Sequence, residues 1–144
     1  MSLAALVDSN IPIYALGGPH PAKEPCLALL RAAGAGRLTG VASAEMIREL
    51  IYHRMRVTSD RLAAVRDGRD VAAVFEVMPF DTAVLEEAMR LIEISPTIRG
   101  RDAVHAATAL VCGVTVVIST DPVFAQVPGL KWLEPAVAAR MIDD

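Results

Sequence analysis

Apolar runs of about five residues alternate along the chain with longer stretches of helical spacing. Leu3 to Val7 is the first apolar run and reads as a strand. It ends in Asp8-Ser9-Asn10, short polar side chains that suit a turn or helix cap, and Pro12 fits a first helical turn. Gly17-Gly18-Pro19-His20-Pro21 reads as a loop, and Glu24 to Ala33 as a helix stopping at Gly34. Leu38 to Ala42 is the second strand, with Ser43 as N-cap of a helix to about Arg56. Thr58 to Val74 mixes charged and apolar residues at helical spacing, which predicts one or two amphipathic helices with Gly68 as a break. Phe75 to Pro79 is a short strand, followed by a helix capped by Asp81 and running to about Ile94.

The stretch Arg99 to Phe124, RGRDAVHAATALVCGVTVVISTDPVF, organises the rest. Ala103 to Cys112 is rich in good helix formers, and Gly113 accepts the left-handed turn that closes a helix. Val114 to Ile118 is a β-branched strand of the kind buried on both faces in a parallel sheet. Pro128-Gly129 marks a turn, Lys131 to Leu133 a last strand, and a tail helix follows. Strand and helix alternate without long linkers, repeats or low-complexity tracts. This predicts a single α/β domain over residues 1–144, with three layers and a central, mainly parallel sheet.

Composition narrows the partners. A net charge of −3 and a pI near 5.6 argue against gripping nucleic acid by overall positive charge. Yet 12 of the 14 basic residues are arginine, and Arg48, Arg54, Arg56, Arg61, Arg66 and Arg69 fall in one span. Arginine forks onto phosphate, so a phosphodiester substrate stays in play. Two distant cysteines, Cys26 and Cys112, fit a reducing compartment, with Cys112 expected buried in its helix. No apolar run reaches the roughly 18 residues of a spanning helix, and the amino end lacks a signal-peptide pattern. A soluble, cytoplasmic protein is expected.

Four acids carry the chemistry. Asp8 and Asp121 both follow apolar strands, so in a parallel sheet they project from one edge. Asp102 begins a helix and Glu49 lies early in another, and such helices start near that edge. For Asp8 taken alone, capping the next helix is the plainer reading. Glu45, in a first turn, is explained by the helix dipole, whereas Glu49, a turn deeper, is the better candidate for chemistry. Clustered carboxylates repel unless a cation joins them, and all-oxygen ligation suits Mg²⁺ or Mn²⁺. Such a site hydrolyses phosphodiesters without a serine, cysteine or histidine nucleophile. Asn10 and Thr120 flank the acids and can orient a carboxylate or water. His105, one turn from Asp102 on the same helix face, is a supporting candidate that could touch substrate or brace the acids, although a packed or surface residue is the plainer reading. Gly34-Ala35-Gly36 lacks the strand and third glycine of a dinucleotide fingerprint.

The motifs LVDSN with Asp8, SAEMIREL with Glu49, RDAVHAATAL with Asp102 and STDPVF with Asp121 resemble the PIN-domain ribonucleases, especially the toxins of VapBC-type toxin–antitoxin pairs. The resemblance runs from about Leu3 to Pro135. It implies a Rossmann-like α/β/α sandwich and Mg²⁺- or Mn²⁺-dependent cleavage of RNA. The acidic metal-site residues would then be Asp8, Glu49, Asp102 and Asp121, supported by Asn10 and by Ser119 or Thr120. A homodimer and a cognate antitoxin that covers the site are implied too, and Arg48, Arg54, Arg56 and Arg101 are the candidate RNA contacts. Two features depart from the pattern: Glu45 competes for the glutamate position, and Ala125 offers no acid after Asp121. Asp121 is therefore expected to be the weakest metal position.

Two other classes compete. A receiver-type phosphoacceptor needs a paired acid early in the chain and a lysine at a late strand end, where Asp8 stands alone and Lys131 is misplaced. A non-catalytic RNA- or protein-binding module has no physical reason to keep four mutually repelling carboxylates. With aromatics at 4% of residues, RNA recognition is expected to rest on shape, arginine and a partner subunit more than on base stacking.

Overall fold

A computed structural model describes residues 3–143. Strands β1 (Leu3–Val7), β2 (Leu38–Ser43), β3 (Glu76–Met78), β4 (Val116–Ile118) and β5 (Lys131–Leu133) form one sheet in the order β3-β2-β1-β4-β5, with every pairing parallel. Alternation along the strands sorts their side chains into two cores. Ala5 and Val7 of β1, Ala42 of β2 and Ile118 of β4 face one layer. It is built from helices α1 (Asn10–Leu16), α2 (Lys23–Gly34), α3 (Ala44–Thr58), α4 (Arg61–Val74) and α7 (Pro135–Asp143). Leu6, Val41 and Val117 face the other, built from α5 (Thr82–Ile94) and α6 (Gly100–Cys112). The chain is thus a Rossmann-like three-layer α/β/α sandwich.

The winding reverses between β1 and β4: the chain moves outward from β1 through β2 to β3, then returns to lay β4 on the other side of β1. Such a switch point leaves a crevice at the carboxyl ends of the two strands. Val7 pairs with Ile118, and the Asp8 amide donates to Ile118 O at 3.0 Å, so the next residues of both strands are held side by side.

Local chemistry explains most boundaries. Ser43 caps α3 by accepting from the Met46 amide at 3.0 Å, and Asp81 caps α5 through the Val84 amide at 3.0 Å. Gly113 takes φ +77° and closes α6. Val114 belongs to that closure, its amide returning to Ala109 O at 2.9 Å, so β4 starts at Val116 rather than Val114.

Gly68 is not a break. Helix α4 runs through it, and a Cβ there would fall 2.4 Å from Ile51 Cγ1, so the glycine lets α4 lie close on α3. Cys26 is buried and burial pushes its thiol up to about 12, but Cys112 is only half-buried, contrary to expectation, with Sγ on Thr108 O at 2.8 Å. Among the described residues no helix is long and apolar enough to cross a membrane.

Candidate functional site

The switch-point crevice is a cleft of about 240 Å³, and Asp8, Glu49, Asp102 and Asp121 all line it together with Arg99 and Arg101. Asp8 stands directly after β1 and is 4% exposed. Burial of so short an acid is costly without donors. Its closest are the Ser9 amide, which reaches Oδ1 at 2.7 Å, and Ser119 Oγ and Asn10 Nδ2, which reach Oδ2 at 2.7 and 3.1 Å. None of these is an amide of the second or third residue of α1, whose N-terminus has no side-chain cap. The capping role that is plainest for an isolated aspartate is therefore not the one Asp8 plays.

Ser119 follows β4 and is fully buried. Its hydroxyl donates to Asp8 and accepts from Asn10 Nδ2 at 3.2 Å and the Asp121 amide at 3.0 Å, which uses its whole capacity. Trp132 Nε1 donates to Ser119 O at 2.8 Å and fixes the same residue from β5. Asp121 Oδ1 accepts from the Val123 amide at 3.0 Å and opens the 3₁₀ turn Pro122–Gln126. Thr120 contributes its amide, 3.3 Å from Asn10 Oδ1, and stands outside the acidic cleft, beside Tyr14 and Pro135.

Glu49 enters from α3 and Asp102 from the first turn of α6. Glu45 stays outside the cleft, paired with Arg48 through Nε at 3.0 Å from Oε2, so the geometry favours Glu49 for the glutamate position. His105 is the element that ties the helices together. It is fully buried, with Nδ1 2.8 Å from Ser43 Oγ and Nε2 donating to Glu49 Oε1 at 2.7 Å, while Asp8 Oδ1 lies 3.5 Å away. It is thus packed, as expected, but packed onto the acids. Burial opposes its charged form, yet the Glu49 hydrogen bond and the charges of Asp8, Glu49 and Asp102 prevail and raise its pKa.

Asp102 reports the charge balance of the cleft. Burial, then the charges of Asp8 and Asp121, push its carboxyl up to about 6. A cation would relieve that repulsion. Among the described residues no three Asp, Glu, His or Cys side chains form a tight shell around one point. The donor set nevertheless suits Mg²⁺ or Mn²⁺, which typically bind through one or two carboxylates and keep several waters. Asp8, Glu49, Asp102 and Asp121 are the residues that could hold such an ion.

The arginines divide. Arg101 lies at the rim, 4.0 Å from Glu49 Oε2, and Arg48 and Arg56 line an adjoining groove. Arg54 turns inward, bound to Asp67 Oδ2 at 3.0 Å and Leu16 O at 3.2 Å, so it braces α3 against α4 and α1 instead of facing a substrate. Sequence reading missed Ser9, Trp132 and Arg99 at the site, and gave Ser43 its N-cap role without the bond to His105. Only Trp132 carried a signal, because an indole N–H in a short strand of a packed sheet needs an acceptor.

An all-parallel sheet with carboxylates gathered at its switch point agrees with the match of residues 5–130 to the PIN domain model, and the chain belongs to the PIN domain family. Ribonuclease VapC7 of Mycobacterium tuberculosis is 30% identical over 94% of this chain and 94% of its own. Ribonuclease VapC13 of the same organism is 36% identical over 89% of this chain and 98% of its own. The VapBC-1 structure from nontypeable Haemophilus influenzae superposes with a TM-score of 0.71 at 18% identity, covering 92% and 98% of the two chains, a likeness of fold.

Proposed function

We propose that this protein is a Mg²⁺- or Mn²⁺-dependent endoribonuclease and the toxin of a VapBC-type pair. The observation that supports it most is the convergence of Asp8, Glu49, Asp102 and Asp121 on one cleft, where burial and then the charges of Asp8 and Asp121 raise the Asp102 carboxyl. Kinship with relatives named as VapC ribonucleases supplies the substrate. When bound, the cation would supply an activated water and charge neutralisation for in-line displacement at phosphorus.

The chain's own residues prepare that chemistry. Ser119, Asn10 and the Ser9 amide fix Asp8, and His105 fixes Glu49. Arg99 and Arg101 at the rim draw a phosphate toward an otherwise anionic cleft. A cognate antitoxin that covers the cleft follows from the same reading. So does a homodimer, for which the exposed apolar row Leu85, Met89 and Ile92 on α5 offers one face.

Expression of the wild type should arrest growth, and the purified protein should cleave RNA when Mg²⁺ or Mn²⁺ is added. Asp8→Asn should lose both effects while keeping its circular dichroism spectrum. Full RNA cleavage by Asp8→Asn would overturn the proposal. RNA binding without turnover across both metals would favour a non-catalytic module.

A further inference from the structure

Beside the acidic cleft, and sharing Ile13, Glu49 and Arg101 with it, runs a second groove of about 250 Å³, completed by Arg48, Tyr52, His53 and Arg56. Arg48, Tyr52 and Arg56 are four residues apart on α3 and so form one row, spanning about 12 Å along the axis. Glu49 and His53 form the row next to it. The acid site and the groove are therefore successive turns of the same helix.

Three properties of the groove point to one kind of occupant. Tyr52 is 61% exposed, an aromatic face presented to solvent in a chain with few aromatics. Arg56 has no carboxylate partner among the described residues, so its guanidinium is available to an anion, whereas Arg48 is shared with Glu45. His53 Nδ1 is a buried polar atom without a hydrogen-bond partner among the described residues. Burial, then Arg56 and Arg54, lower the His53 pKa, so its ring is neutral near pH 7 and carries one donor and one acceptor nitrogen. A flat aromatic, a free arginine and a neutral imidazole lining one groove match the base, phosphate and polar edge of one nucleotide.

We propose that this groove is a subsite for the unpaired nucleotide next to the scissile phosphate. Tyr52 stacks on its base, Arg56 and Arg101 hold the backbone phosphate, and His53 hydrogen-bonds the base edge or ribose. The assignment rests on the ribonuclease reading and deepens it, and it places base stacking where composition alone argued against it.

The test is fluorescence anisotropy of a fluorescein-labelled single-stranded A₁₀ RNA with the Asp8→Asn protein, so that binding is read without cleavage. Adding Tyr52→Ala should weaken binding about tenfold, and Tyr52→Phe should restore it. A strand abasic at all but its labelled end should bind the parent about tenfold more weakly than A₁₀, and the Tyr52→Ala protein equally to A₁₀. Arg56→Gln should weaken both strands alike and lower the salt slope by about 1. Equal affinity of the parent for intact and abasic strands would overturn the subsite and leave charge alone. So would unchanged A₁₀ binding by Tyr52→Ala. The ribonuclease reading fails on a different result, the absence of cleavage by the protein with Asp8 intact.

Discussion

Ser119 Oγ joins the two halves of the switch point, since one hydroxyl serves Asp8, Asn10 and the Asp121 amide. Removing it frees Asp8 Oδ2 to rotate and loosens the turn that carries Asp121. Ser119→Ala should therefore weaken Mn²⁺ binding about 10–100-fold, the usual effect of losing a residue that orients a metal ligand, as measured by calorimetry. Asp102 gives a second prediction through pH. Its carboxyl rises from 3.8 to about 6 on folding, so the metal-free fold favours the protonated acid. Its stabilising contribution is full below the unfolded pKa and is lost as pH rises through the folded one. Asp102→Asn, which stays neutral, should melt higher than wild type in EDTA at about pH 7.5, and the difference should close near pH 4. A lower melting temperature at the higher pH would contradict it.

At this scale the sequence was legible where a residue's position in its own element decides its place. Asp8 and Asp121 follow apolar runs, so their edge of the sheet could be read directly. His105 could be read only as a packed residue or a support beside Asp102, because its actual partners, Ser43 and Glu49, lie 62 and 56 residues away. Arg54 and Arg56 are indistinguishable in sequence, and only the packing of α3 on α4 turns one inward.

Helix α3 carries unusually many duties for one element. Its N-cap holds His105, its second turn presents Glu49, and the next turns present Tyr52, His53 and Arg56. Ser43→Ala should cost more than an ordinary cap. The lost Met46 bond is worth about 1 kcal/mol, and an unsatisfied His105 Nδ1 adds about 1–3 kcal/mol. Asp60→Ala, which removes the exposed cap of α4 at Ala63, should cost only about 1 kcal/mol. Urea melts of the two variants make the comparison, and equal losses would show that His105 does not depend on Ser43. Gly68 illustrates why boundaries inside this helix pair were harder to read. A glycine in a helical pattern signals either a break or a close approach, and only Ile51, across the α3–α4 contact, decides between them. Strand β4 was misread by two residues for a related reason, since the capping of α6 claims Val114.

At the scale of the whole molecule, the order β3-β2-β1-β4-β5 brings together acids 113 positions apart, Asp8 and Asp121. Each is placed by an ordinary local rule, a strand end or a helix start, and the topology makes the places coincide. The cleft that results is anionic in a protein already at net charge −3, so under the proposed function a cation and then a rim of arginine would let RNA approach. Under the proposed function the carboxylates therefore act together on a bound cation. Calorimetric titration of Mn²⁺ into the metal-free protein tests this directly. Wild type should bind saturably and release protons on binding at about pH 6, where the raised Asp102 carboxyl is partly protonated, while Asp8→Asn should show no saturable binding. Equal binding by Asp8→Asn and wild type would contradict the account.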